Sequence, residues 1–198
     1  MEIRSQFRKT LLGAGLLTMS VMPFVSDPAV GAARQDTRYD EKLIAVLAVI
    51  EGPVMLGRGP IRVALKPPAS AGTAARALRA RIKTLPPDRH IYMVVRDLRV
   101  NEQPGVLYRL YLDLPPDEKP GRSNPHYAGT LNFYNATETS DAANVKNPKI
   151  FSYDITAMIR NLQAQNLLSD ETTVTVIPSG TPAPDSSPSI GRIEIVEQ

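Results

Sequence analysis

The sequence contains no cysteine and no tryptophan, and only two of its 198 residues are histidine. Without cysteine there are no disulfides, no thiolate nucleophile, no thiolate metal site and no lipid anchor attached through sulfur. A domain of this length can still bury an adequate core without disulfides, so export remains open. Without tryptophan, the strongest aromatic platform for stacking a sugar or a cation is missing. Two imidazoles cannot build a binuclear copper centre of the oxidase type, which takes about six, and a zinc site would need a carboxylate as third ligand. His90 follows Pro87-Asp88-Arg89 and His126 follows Asn124-Pro125. Both are expected at solvated loop edges. No Gly-x-Ser-x-Gly elbow, phosphate loop or dinucleotide fingerprint occurs. Acidic pairs such as Asp117-Glu118 and Asp170-Glu171 fall at turns, as solvated charges rather than an acid/base dyad. No catalytic, cofactor-binding or metal-binding residue is assigned, and no cofactor is expected.

The charge is also unremarkable in size. The formal net value is +3, from 23 basic and 20 acidic residues. Basic and acidic residues are interspersed, as on a mixed surface, so a nucleic-acid partner is not expected. A run of arginines, Arg76, Arg79 and Arg81, reads as a solvated connection, with an anion patch as the alternative.

What the chain does have is punctuation, 18 Pro and 12 Gly, which favours short strands joined by turns. Met1 to Ala33 reads as an export signal: Arg4, Arg8 and Lys9 lead an apolar run, Leu11 to Val25, and Ala29 to Ala33 supplies small residues for cleavage. The run is too short and Gly-interrupted for a membrane span. Phe7-Arg8-Lys9 is near a twin-arginine leader but lacks the paired arginine. The mature protein is therefore expected in the periplasm or outside the cell, without a membrane span. Residues 34–51 form a linker or short extra element, in which Leu43 to Ile50 fits a strand or a short helix equally.

Period-two alternation then marks strands. Ile61, Val63 and Leu65 alternate with Arg62, Ala64 and Lys66. Ile91, Met93 and Val95 share one face of His90 to Val100. Val106, Tyr108, Leu110, Leu112 and Leu114 face one way, with Leu107, Arg109, Tyr111 and Asp113 opposite. Tyr127, Gly129, Leu131 and Phe133 share a face of Tyr127 to Tyr134. Toward the end of the chain, Phe151, Tyr153 and Ile155 mark a strand, and Thr156 is placed to cap a helix over Ala157 to Gln165. Val174 and Val176 mark the next strand. In Ser189 to Glu197, Ile193 and Ile195 point inward and Arg192 and Glu194 outward. These elements predict an all-β domain over 52–198, an antiparallel β-sandwich or open barrel of roughly six to eight strands with one short helix. The tyrosines at 92, 108, 111, 127, 134 and 153 read as strand packing with hydroxyls at the rim. One of them projecting into a partner's pocket is the functional alternative.

The order of these segments resembles the C-terminal domain of tyrosinases and polyphenol oxidases, the β domain that follows the dicopper catalytic domain. Pro53-Val54-Met55-Leu56 with Ile61-Arg62-Val63 looks like its opening strand. His126-Tyr127-Ala128-Gly129-Thr130-Leu131 is similar to its F/Y-A-G-S strand. Ile155 to Leu162, then Val174-Thr175-Val176-Ile177-Pro178, then Ile190-Gly191-Arg192-Ile193, looks like its T-E-L-L, V-T-L-V-P and I-G-x-I ending. The Lys-Phe-Asp-Val tetrapeptide of the plant domain falls on Leu107-Tyr108-Arg109-Leu110, where only the alternation survives. The copper-binding histidines of that family have no counterpart here. The resemblance implies a non-catalytic, free-standing cap, inhibitor or assistant of a separate tyrosinase-like dicopper oxidase. A stand-alone secreted module binding carbohydrate or an envelope protein is the second reading, and a small enzyme of another type the third.

Overall fold

The computed structural model describes residues 44–68, 78–134, 136–138 and 149–198. The leader, the linker up to Leu43, and Arg76 lie outside the described residues. Strands β1 (Ala45–Met55), β2 (Ile61–Ala64), β3 (Ile91–Val100), β4 (Tyr108–Leu112), β5 (Tyr127–Leu131), β6 (Thr137–Glu138), β7 (Ile150–Asp154), β8 (Thr173–Pro178) and β9 (Ser189–Glu197) are joined by two short helices, α1 (Leu78–Lys83) and α2 (Thr156–Ala164).

The strands form two sheets. The first runs β1-β9-β3, with β7 and β6 sharing the far edge of β3; the second runs β2-β8-β4-β5. Every pairing is antiparallel except the short β3–β6 contact. Neither sheet closes on itself, so the architecture is a sandwich rather than a barrel. From Ala45 onward the ambiguous run resolves as strand: it pairs with β9 from Ala45↔Glu197 to Ile50↔Ile193.

The alternating residues fill one core. Met93, Val95, Ile193 and Ile195 from the first sheet and Tyr108, Leu110, Leu112 and Val174 from the second are each fully buried in a single cluster. The two long sides of the sandwich are stitched together. On one, Val49 and Lys66 exchange backbone hydrogen bonds at 2.7 and 2.9 Å, linking the edge of the first sheet to the strand beyond β2. On the other, Tyr153 of β7 lies on Gly129 of β5, and its hydroxyl donates to the Thr130 carbonyl at 2.8 Å. These contacts leave little free edge for pairing with another chain.

The helices close one end. Ile159 and Leu162 of α2 are fully buried, and Leu78 and Ile82 of α1 are buried beside them. Thr156 does not cap α2 as expected but is its first residue, because its hydroxyl is committed to β3, accepting from the Ile91 N–H at 2.8 Å. Asp154 supplies the acceptor instead, taking the Thr156 N–H at 2.9 Å. α1, of six residues, is a second short helix beside the one that the sequence marks. Of the arginines there, Arg79 and Arg81 are each paired within the chain. Arg79 pairs with Asp170 at 3.3 Å, and Arg81 forks onto Glu197 with two bonds of 2.6 Å.

β9 departs from expectation in its charges. Glu194 points away from the core yet is only 4% exposed. Its Oε1 accepts from Arg192 Nε at 2.8 Å, and Arg96 Nε lies 3.0 Å from Oε2 without the alignment of a hydrogen bond. Arg96 and Arg192 face each other across the strands, so the carboxylate relieves a like-charge pair. No helix among the described residues is long and apolar enough to cross a membrane.

Two outcomes follow from this packing. Ile159→Asp places an unpaired carboxylate at a fully buried position and costs several kcal/mol. Its melt should be lost or shifted far down, and a melt equal to wild type would show that the α2 face is not packed. Glu197 is held below the usual carboxylate range chiefly by its hydrogen bond to Arg81, against burial, with Arg89 adding to the effect. A depressed folded pKa gives stability that is present above the unfolded value of about 4.5 and lost as pH falls through the lower folded value. Glu197→Gln should therefore destabilise by about 2 kcal/mol near pH 7, and the gap to wild type should narrow below about pH 4.5 in denaturant titrations.

Candidate functional site

At the end of the sandwich away from the helices, three connections meet. β3 ends at Val100, and the chain returns through Gln103-Pro104-Gly105-Val106-Leu107 into β4, with Gly105 at φ +68° as the turn requires. β5 ends in Asn132-Phe133-Tyr134. β8 ends in Ser179-Gly180. Together they line a groove of about 450 Å³.

The groove is built rather than loose. Ser179 N–H donates to the Leu107 carbonyl at 2.8 Å, and Leu107 N–H returns a bond to Ser179 Oγ at 3.1 Å. Ala183 N–H donates to the Pro104 carbonyl at 3.0 Å. On the opposite wall, Asn132 Oδ1 accepts from Tyr134 N–H at 3.2 Å and from Lys149 Nζ at 3.1 Å, and Lys149 also donates to the Tyr134 carbonyl. The floor is Phe133, 1% exposed, set edge-on against Tyr108 at 5.4 Å. The rim is apolar and open: Leu107 is 41% and Tyr134 71% exposed. Among the described residues that line it there is no carboxylate, imidazole or amine; Lys149 lies just outside the lining, bonded to Asn132 and Tyr134.

The tyrosines separate clearly. Tyr108 and Tyr111 are fully buried, and burial pushes the Tyr108 phenol up to about 12. Tyr127 Oη and Thr130 Oγ1 share a bond at 2.5 Å. Tyr134, which the sequence places in a strand, lies in the turn beyond β5 and projects into solvent. It is the tyrosine that matches the projecting alternative.

The histidines also separate. His90 is on the surface as expected, its Nδ1 3.1 Å from Asp154 Oδ2. Burial alone would raise the Asp154 carboxyl, but bonds from Thr156 and His90 outweigh it and hold it below its ordinary value. His126 is not at a solvated edge: it is fully buried. Its carbonyl accepts from Leu112 N–H at 2.9 Å, continuing the β4–β5 ladder. Its ring Nδ1 is 2.7 Å from the Leu112 carbonyl, which can only accept, so Nδ1 carries the proton. Asp113 lies nearby at φ +51°, accepting from Thr173 N–H at 2.7 Å and Ser169 N–H at 3.0 Å. Burial raises its carboxyl above the ordinary range despite those bonds. This cluster is structural: it ties the β4 end to the segment leading into β8. No three His, Asp or Glu residues among those described converge as metal ligands do.

No curated protein sequence matches the chain. Among solved structures, latent apple tyrosinase is similar at 19% identity and a TM-score of 0.46, over 73% of this chain and 27% of that one. Recombinant latent aurone synthase, a polyphenol oxidase, is similar at 17% identity and a TM-score of 0.43, over 74% and 26%. The same enzyme from its natural source gives 18% and 0.42, over 74% and 25%. The chain thus spans about a quarter of the length of these structures. Residues 51–198 match the model of the family described as Domain of unknown function (DUF7868), and the chain belongs to that family.

Proposed function

We propose that this β domain is a non-catalytic docking module that covers the substrate pocket of a separate, tyrosinase-like dicopper oxidase. The observation that carries a docking role is the pinned groove with Leu107 and Tyr134 exposed on its rim. Exposed apolar groups on a rigid end favour burial against a partner. The choice of partner rests on the order of segments from Gly52 to Gln198, which resembles the domain that packs over the copper site in tyrosinases and keeps the enzyme latent. A phenol-accepting pocket is concave and apolar-lined, so a rigid β domain can cover it and exclude substrate. A separate chain must offset the association entropy that a fused domain avoids, so the effect should depend on concentration.

The test is co-expression with a dicopper oxidase that lacks such a domain, followed by titration of the β domain into the active enzyme. Co-purification and a saturable change in diphenol oxidation rate are expected. No co-purification, with rate and copper loading unchanged at about 100 µM β domain, would overturn the reading. Tyr134→Ala should weaken the effect about tenfold if the rim makes the contact.

The same reading places the protein outside the cytoplasm, from the positive start, apolar run and small-residue site before Arg34. N-terminal sequencing of the protein from cell envelope or medium should begin near Arg34. An intact Met1 on cytoplasmic material would reject export.

A further inference from the structure

Beside the wall of the groove lies a charge that no carboxylate among the described residues neutralises. Lys149 Nζ has three N–H donors. Two go to uncharged acceptors, Asn132 Oδ1 at 3.1 Å and the Tyr134 carbonyl. Its remaining contact is the Phe151 ring, 5.0 Å away. No carboxylate among the described residues pairs with it, in contrast to Arg79, Arg81 and Arg96, which have Asp170, Glu197 and Glu194. The half-buried ammonium thus lies beside the apolar groove, bonded to two of its lining residues, with no carboxylate among the described residues to offset its charge. Phe133 and Leu107 give the groove an apolar floor and rim, and Tyr134 overhangs it.

From this charge complementarity we infer that the occupant of the groove is a partner-protein segment in which a bulky apolar side chain is followed by a carboxylate. The apolar group enters over Phe133 between Leu107 and Tyr134, and the carboxylate meets Lys149. This deepens the docking role by naming the chemistry of the docked segment, and it rests on that reading. The groove supplies apolar burial, which gives most of the affinity, and the half-exposed cation supplies selection for an acid. Because Lys149 also fixes the turn that carries Tyr134, the occupant meets a wall already in place.

The probe is a blocked peptide, acetyl-Ser-Gly-Phe-Asp-Gly-amide, titrated into the purified full chain and followed by amide chemical shifts. Binding on the order of 1 mM is expected, with shifts concentrated at Leu107, Phe133, Tyr134 and Ser179. Exchanging Asp for Asn in the peptide should weaken binding about threefold, a preference that shrinks at high salt. Exchanging Phe for Ala should weaken it about tenfold. Lys149→Gln keeps two N–H donors for Asn132 and Tyr134 but removes the charge; it should bind the Asp and Asn peptides equally while its melt stays near wild type. Leu107→Ser, at an exposed position, should weaken both peptides.

Equal binding of the Asp and Asn peptides by wild type would overturn the inference, as would shifts mapping elsewhere or none up to about 10 mM peptide. Shifts at the groove with cellobiose but not with peptide would reassign it to a sugar and overturn it equally. The oxidase reading fails by a different result: the peptide occupies the groove, yet no oxidase co-purifies.

Discussion

The first sheet depends on its central strand, β9. β9 is flanked by β1 on one side and β3 on the other along nearly its whole length, so β1 has no other neighbour in that sheet. Until Ser189 to Glu197 is in place, the first sheet has no centre and β1 has no link to β3. The sequence separation between β1 and β9 makes these contacts costly in loop entropy and slow to form. Ion pairs add to the register that hydrophobic alternation sets. Glu197, 1% exposed, is held by Arg81 and Arg89, and Glu194 by Arg192 and Arg96. A slip of one residue would bury arginine-facing carboxylates without partners, which costs more than the slip could recover.

That constraint explains what was legible in the sequence. Alternation placed β2, β3, β4, β5, β7, β8 and β9 because each has one face in the shared core, and period two survives wherever that holds. The glycines in the segments that resemble the tyrosinase domain acquire physical reasons. A Cβ at Gly129 would run into the Tyr153 ring, which seals one side of the sandwich. A Cβ at Gly191 would lie 2.6 Å from the Asp97 Cβ, where Asp97 takes φ +56° in the strand opposite. Neither reason can be read from the glycine itself, since both lie in a partner strand far along the chain.

The failures share one cause. Glu194 and His126 are polar residues whose burial depends on groups remote in sequence, Arg96 of β3 or the Leu112 carbonyl, and Glu197 is buried the same way against Arg81 and Arg89. Hydropathy assigns such residues to solvent because it cannot see the partner. Asn124 and Pro125 rightly marked a turn before His126, with the Asn124 side chain accepting the His126 N–H at 2.8 Å. What they could not mark was that the ladder already begins at the histidine. The groove was illegible for the same reason. Leu107, Tyr134 and Ser179 are separated by long stretches of chain, and only the common end of three strands brings them together.

The separation of the two ends bears on function. Helices and the Glu197 ion pairs secure one end of the sandwich, where Ile91 bonds Thr156 and Ile155. The groove occupies the other, pinned by backbone bonds among Leu107, Ser179, Pro104 and Ala183. A partner that docks at the groove meets preformed walls and leaves the helical end undisturbed, so binding need not draw on folding free energy. Among the described residues, the groove end has none of the salt bridges that would have to be desolvated on contact. Lys149, bonded to the lining residues Asn132 and Tyr134, faces uncharged acceptors. Rigid walls, an apolar floor and a nearby cation are the features on which the proposed selection of a docked segment rests.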